Sequence, residues 1–388
     1  MAPRELVRKS TTVKPKACRK CGSALDGDDP DPHPHQVWEW PEVQPDVFEW
    51  LLHELTCKRC GARTRAKLPP GVPRSGFGPR LVGVVALLSG AYRLSKRLII
   101  DLLGNLMGVP MSLGSVSACE QIASEAVAKP VQEARDYVKQ QGVKHADESS
   151  WFEGPRRAKV WLWTATTSLV TVFLIRASRG KDVAHDILGK VFGVLVSDRW
   201  CGYAWWPLRW RQFCWAHIKR HFQAMAECTG EAKAIGDGLL VLEERLFELW
   251  HRVRDGTLKR NSFKAYASRI RVEVRALLRR GVHCGHKKTA TTCAELLKSE
   301  PAMWTFVRLA GVEPTNNHGE RAIRPGVIWR KLSFGTNSRW GSRFVERMLS
   351  VVQTLKQQDR NAFTFVTDCV AAHMRGQPIT GSLLPRAN

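Results

Sequence analysis

Between residues 142 and 215 the chain carries short runs rich in Val, Trp, Thr and Phe, while on both sides of them apolar residues fall at helical spacing. Strand-length runs embedded in an otherwise helical chain restrict the fold to a mixed α/β class. Residues 160–166 and 169–177 read as a hairpin broken at Thr167-Ser168. Residues 181–190 read as a short helix, and 191–197 (VFGVLVS) as an apolar strand. With 145–152 as a first strand and 211–215 as a fifth, the order is strand, strand, strand, helix, strand, strand.

The flanking helices follow from periodicity. Residues 81–92 form one apolar helix, and 95–107 carry Leu98, Ile99, Leu102, Leu103 and Leu106 on one face. A turn at 108–111 leads to a helix capped by Ser112 or Ser115 and running to Gln141, with a kink at Pro130. This hairpin fits either a helix-turn-helix, with Ser115, Ser117 and Gln121 offered to DNA, or ordinary packing on the core. Residues 217–280 are helical through Leu239, Leu242, Leu246 and Leu249, and 281–313 are less regular. Asn316 caps a further helix that Pro325 ends or kinks. Residues 341–358 then form a helix with Phe344, Met348, Val351, Val352 and Leu355 inward, and the tail from Gly376 is loose.

Charge narrows the partner. Sixty Lys and Arg against 36 Asp and Glu give a formal net charge of +24, which points to a polyanion, nucleic acid before membrane. No apolar stretch reaches the ~20 residues of a spanning helix, and the basic N-terminus lacks the apolar core of a secretion signal. Eleven Cys, an odd number, favour a reducing compartment and metal binding over a disulfide framework. Four of them form two matching knuckles, Cys18-Arg-Lys-Cys21-Gly and Cys57-Lys-Arg-Cys60-Gly. Each Cys-x-x-Cys turn presents two thiolates on one side, so the four suit a structural tetrahedral Zn²⁺, with free or redox thiols as the alternative. A Pro/Gly-rich run at 69–79 closes this unit.

Three carboxylates stand out. Asp147 lies in His-Ala-Asp-Glu-Ser-Ser-Trp, Asp198 closes the apolar strand, and Glu320 lies early in a helix. A charge at the end of a buried strand needs a partner or a metal. Carboxylates from separate elements are what a pair of Mg²⁺ ions needs for in-line attack on a phosphodiester. Glu148 is an adjacent rival to Asp147; Asp198 could cap the next segment, and Glu320 could pair with Arg324 at i+4. Cys214 and His217 form a Cys-x-x-His pair that could support this site or simply pack in the core. Arg321, Arg324, Arg330, Lys331 and Arg343 belong to a stretch, 321–347, with seven basic residues and one acid. Some of them suit phosphate contacts better than a solvated helix face. Trp200, Trp205, Trp206 and Trp210 fit core packing better than stacking on a frayed base.

Several long motifs carry a resemblance. Arg-Gln-Phe-Cys-Trp-Ala-His at 211–217, Pro-Thr-Asn-Asn-His-Gly-Glu-Arg-Ala-Ile-Arg-Pro at 314–325, the stretch Trp329–Gly335 and Gly-Ser-Arg-Phe-Val-Glu-Arg at 341–347 closely resemble the transposases of the insertion sequence 66 family. The double Cys-x-x-Cys unit looks like that family's N-terminal zinc-binding domain. The resemblance implies a ribonuclease-H-like mixed-sheet core interrupted by a helical insertion, with Asp147, Asp198 and Glu320 as an Asp-Asp-Glu triad holding two Mg²⁺. The expected organisation is then a zinc-binding domain (1–78), a helical domain (79–141) that either binds DNA or packs on the core, a split core (142–225 and 313–360), a helical insertion (226–312) and a tail (361–388). The implied activity is that of a DNA transposase. It binds terminal inverted repeats, hydrolyses phosphodiester bonds at the element ends and transfers the 3′-hydroxyls to target DNA. The implied setting is a homodimer or larger assembly on double-stranded DNA, at the nucleoid in a bacterial cytoplasm. The rival functions are a non-catalytic zinc-containing DNA-binding protein and a ribonuclease-H-type nuclease.

Overall fold

The computed structural model describes residues 1–386. Its first 78 residues hold little regular structure. Strands β1 (Glu54–Thr56) and β2 (Arg63–Arg65) pair antiparallel beside the second Cys knuckle. Four helices follow: α1 (Pro79–Gly90), α2 (Lys96–Met107), α3 (Leu113–Ala126) and α4 (Ala128–Lys139). The expected single helix to Gln141 is two helices, broken at Val127. Pro130 does not kink it, because it sits in the first turn of α4, where its missing N–H costs no hydrogen bond. Ser112 accepts from the Ser115 N–H as the cap of α3. The polar groups offered to DNA are engaged within the chain: Ser117 receives Lys96 Nζ at 2.6 Å, and Gln121 donates to Glu125.

The sheet is built from β3 (Val143–Glu153), β4 (Ala158–Thr166), β5 (Thr171–Arg176), then α5 (Lys181–Leu188), β6 (Val194–Ser197) and β7 (Arg211–Phe213). The spatial order is β5-β4-β3-β6-β7. The first three strands run antiparallel, with Asp147 opposite Thr164 and Trp163 opposite Leu174. β6 and β7 run parallel to β3, with His145 opposite Val196 and Ser197 opposite Phe213. All four residues of β6 are buried, as a central parallel strand requires.

A helical block leaves the sheet after β7: α6 (Trp215–Ala226), α7 (Gly230–Arg254), α8 (Arg260–Val282), α9 (Lys287–Lys298) and the single turn α10 (Thr305–Arg308). The stretch expected to be irregular thus holds α9, capped by His286. Leu239, Leu246, Phe263 and Leu278 form this block's core, which continues into Val196 and Phe213 of the sheet. The chain returns in α11 (Asn317–Ser333), α12 (Arg339–Gln357) and α13 (Ala362–Met374). Of the two expectations for Pro325, an end or a kink, the end does not occur: α11 runs on through it, with residues on both sides of the proline buried on one face. Gly326 permits this approach: a Cβ there would stand 2.2 Å from Leu162 Cδ2 of β4. Residues after 361, expected as a tail, instead fold into α13. Val366 and Cys369 of α13 and the later Leu383 join the core of α1, α3 and the sheet.

Helix α12 closes the open edge of the sheet. Glu346, Ser350 and Thr354, one turn apart, accept the N–H groups of Ile175, Phe173 and Thr171 at 2.8, 2.9 and 3.0 Å. Four helical residues rise about 6 Å and two strand residues about 6.7 Å, so the two ladders match. An edge strand is thereby satisfied by side chains instead of a further strand. Ser350→Val should strand the Phe173 N–H and cost about 1–3 kcal/mol, read as a lower urea midpoint at unchanged slope. A loss below about 0.5 kcal/mol would mean that water satisfies the edge.

Candidate active site

Asp147 in β3 and Asp198, the residue directly after β6, each stand two residues beyond the last β3–β6 pair, His145 opposite Val196. That register sets them at about one level along the two strands. Glu320 lies in the first turn of α11 and its charge acts on Asp147, but the structure does not bring the ligand atoms of the three carboxylates within 4.8 Å of one another. Burial pushes the Asp147 carboxyl up to about 7, and the acids Glu148, Asp198 and Glu320 push the same way. The charges acting most strongly on Asp147 are therefore all negative. Its Oδ1 accepts the Glu148 N–H at 2.9 Å, and Asp198 Oδ1 accepts the Trp200 N–H at 3.0 Å. The Arg211 guanidinium beside Asp198 is committed to the Asp198 carbonyl and the Ser197 hydroxyl.

Glu148, the sequence rival, has a different environment. Its buried carboxylate takes two hydrogen bonds from Arg179, at 2.6 and 3.1 Å, and one from the Tyr203 hydroxyl at 2.6 Å. Burial raises it, while Tyr203 and Arg179 oppose that. A carboxylate so fully paired tethers Arg179 and Tyr203 to β3.

The α11 N-terminus is docked by a residue that sequence reasoning took only for a cap. Asn316 is 2% exposed, and its side chain caps nothing. Its Nδ2 donates to the Ala146 carbonyl at 2.9 Å, and its Oδ1 lies 3.1 Å from His145 Nδ1. Its backbone N–H meets Cys214 Sγ at 3.2 Å, and its carbonyl accepts the Glu320 N–H at 2.9 Å. Asn316 therefore ties β3, α6 and the glutamate's turn together. The tandem Asn-Asn before a helix is the one signal that could have drawn attention to it.

Cys214 and His217 lie beside Glu320. Cys214 Sγ is 3.9 Å and His217 Nε2 3.7 Å from Glu320 Oε1. Among the described residues, this is the one group of three or more ligating side chains whose donor atoms all lie within 4.8 Å of one another. The Cys18, Cys21, Cys57 and Cys60 thiols do not form such a group. Each knuckle is nonetheless folded as a tight turn: Gly22 and Gly61 adopt φ of +76° and +70°, and their N–H groups return to the Cys18 and Cys57 carbonyls.

The basic residues divide. Arg321, Arg324 and Lys331 are exposed on α11. Arg330 donates instead to the Ser150 carbonyl and to the Ser149 and Ser150 hydroxyls of β3, and Arg343 pairs with Glu346 at 3.3 Å. The tryptophans after Asp198 are packing groups. Trp206 is buried and bonded to the Gly193 carbonyl, Trp200 packs on Trp163, and Trp205 stacks on His185. Among the described residues no helix is long and apolar enough to cross a membrane.

The family described as "Transposase IS66 family" matches residues 74–343, which include all three carboxylates and the Cys-x-x-His pair. The uncharacterized protein y4qI of Sinorhizobium fredii is 24% identical over 246 residues. That alignment covers 58% of this chain and 45% of the relative, so it spans less than half of that protein's length.

Proposed function

The chain belongs to the transposase IS66 family, and from that premise we propose that it cuts DNA at the ends of an insertion sequence and joins the freed 3′-hydroxyls to target DNA. The proposed core is ribonuclease-H-like, split by the helical block α6–α10, with residues 1–78 as a zinc-binding unit and 79–141 beside the core as a DNA-contacting unit. Asp147, Asp198 and Glu320 are the proposed holders of two Mg²⁺ ions. One observation carries this reading: the buried Asp147 carboxyl, with Asp198 and Glu320 among the acids that raise it and no compensating cation among its strongest neighbours. Hard oxygen donors left unpaired in this way suit Mg²⁺. When bound, such ions activate the attacking water or 3′-hydroxyl and stabilise the leaving oxygen.

The chain's own residues have distinct tasks in this scheme. Asp147 sits within β3 and Asp198 directly follows the neighbouring β6, so the sheet register holds the two backbones near one level. Glu320 completes the set from α11, where exposed Arg321, Arg324 and Lys331 are available to the phosphodiester backbone. Arg330 and Arg343, with partners inside the chain, would have to exchange them to reach phosphate. Cutting two ends together calls for a dimer or larger assembly on DNA. The four knuckle thiols suit a structural Zn²⁺ by donor type.

The test is a duplex carrying the element's terminal repeats, incubated with the full chain and Mg²⁺. Nicks leaving 3′-hydroxyls at the repeat boundary and covalent joining to a second duplex are expected, both lost on Asp198→Asn. Hydrolysis of an RNA–DNA hybrid with no joining would replace this reading with a nuclease. Binding without any metal-dependent cleavage would leave a DNA-binding protein.

A further inference from the structure

Cys214, His217 and Glu320 bring a thiol, an imidazole and a carboxylate to one point. The first two lie three residues apart at the N-terminus of α6, on one face of its first turn. The third arrives from α11 across the gap that Asn316 bridges. The contacts among the three are long. The His217–Glu320 approach of 3.7 Å is beyond hydrogen-bond length. His217 Nδ1 is buried with no partner among the described residues. The Cys214–Glu320 contact is a long thiol interaction at 3.9 Å. A core histidine kept for packing would have at least one ring nitrogen bonded.

The spacing is near that of a tetrahedral ion. With Zn–N and Zn–O of about 2.0–2.2 Å and Zn–S of about 2.3 Å, ligand atoms around the metal stand roughly 3.3–3.7 Å apart. The two separations to Glu320, 3.7 and 3.9 Å, need to close by a few tenths of an ångström, and all three ligand atoms lie within 4.8 Å of one another. Cys214 is the N-cap residue of α6, without a side-chain cap bond, and its sulfur receives the Asn316 N–H at 3.2 Å. Burial raises the thiol above its ordinary value, so an incoming metal has to displace its proton. Thiolate and imidazole select Zn²⁺ or Co²⁺ over Mg²⁺, which prefers oxygen throughout.

We propose that Cys214, His217 and Glu320 form a site for a borderline-soft divalent cation of the Zn²⁺ class, with solvent as fourth ligand, and that its occupation withdraws Glu320 from Mg²⁺. The thiol gives its proton to solvent as the metal binds. Only the second half rests on the reading of Glu320 as a magnesium ligand. The site is open, with three protein ligands, unlike a closed four-thiolate knuckle.

Co²⁺ is the probe, because a thiolate ligand gives it a charge-transfer absorption. Metal-stripped full chain carrying Cys57→Ser and Cys60→Ser should bind one Co²⁺ with the signature of a single thiolate. Adding Cys214→Ser should abolish that signature. In the otherwise unaltered chain, Cys214→Ser and His217→Gln should each lower bound Zn²⁺ by one ion per chain. Unchanged spectra and unchanged stoichiometry would overturn the site. For the competition, micromolar Zn²⁺ should slow Mg²⁺-dependent cleavage by the unaltered chain at least tenfold. Cys214→Ser should show no such slowing relative to its own zinc-free rate; equal inhibition of both would overturn the sharing of Glu320. Co²⁺ binding in a chain that never cleaves DNA would leave the metal site standing and remove the magnesium reading. Cleavage without Co²⁺ binding would do the reverse.

Discussion

Asp147→Asn is expected to lower strand cleavage at least a thousandfold and, in metal-free buffer above pH 7, to make the protein more stable. A thousandfold loss is about 4 kcal/mol of transition-state stabilisation, the scale of removing one charged group from a metal-assisted phosphodiester reaction. The stability gain follows from protonation. In the folded chain burial and the neighbouring acids hold the Asp147 proton up to about pH 7, against an ordinary value of 3.8. Between those limits the folded state binds more protons than the unfolded one, so stability falls as pH rises from about 4 to about 7. The full shift corresponds to roughly 4 kcal/mol, lost by pH 8. An asparagine carries no such charge and can still accept the Glu148 N–H that now meets Asp147 Oδ1. Urea melts at pH 5 and pH 8 without metal should therefore converge for the variant and diverge for the parent. Mg²⁺ should raise the parent's midpoint at pH 8 and leave the variant's where it was. A variant less stable than its parent at pH 8 would show that the acids do not repel one another in the folded chain.

Much of the sheet was legible because its strands announce themselves in composition. The hairpin of β4 and β5 breaks at Thr167-Ser168, and the apolar run before Asp198 is the central strand β6. The mixed α/β class and the family follow from the same residues that suggested them. What remained hidden depends on tertiary partners. Glu346, Ser350 and Thr354 read as the polar side of α12, and only the exposed edge of β5 makes them buried acceptors. Pro325 reads as an end or a kink, yet packing on both sides of it, with Gly326 against Leu162, carries α11 on past it. The segment 361–388 reads as a tail, and α13 gains its order from packing on α1 and α3. In the same way Cys-x-x-His lacks a third ligand in sequence. Glu320 lies more than a hundred residues away and becomes its neighbour only once the helical block folds out between them.

That dependence on long-range docking makes Asn316 the sharpest test of how the site is positioned. Asn316→Ala removes a donor to the Ala146 carbonyl and the group facing His145 Nδ1, both in the buried interface. Burial holds His145 well below the ordinary range, at about 4, so it is neutral at pH 7. Because Asn316 Nδ2 is spent on Ala146, its Oδ1 is the acceptor, and His145 carries its proton on Nδ1. Alanine would orphan that N–H and the Ala146 carbonyl, at a cost of roughly 2–4 kcal/mol. The functional loss should be separable from the structural one. Asn316 bonds to none of the exposed basic residues proposed to meet phosphate, so the KM for DNA should hold within about threefold. Its removal loosens the turn that carries Glu320, so kcat should fall roughly 10–100-fold, and half-maximal rate should need more Mg²⁺. The exposed neighbour Asn317→Ala is the comparison and should leave kcat, KM and the urea midpoint unchanged. If Asn316→Ala raised KM and left kcat and the Mg²⁺ requirement alone, Glu320 would be held by α11 itself, and the bridge between β3 and α6 would serve DNA binding instead.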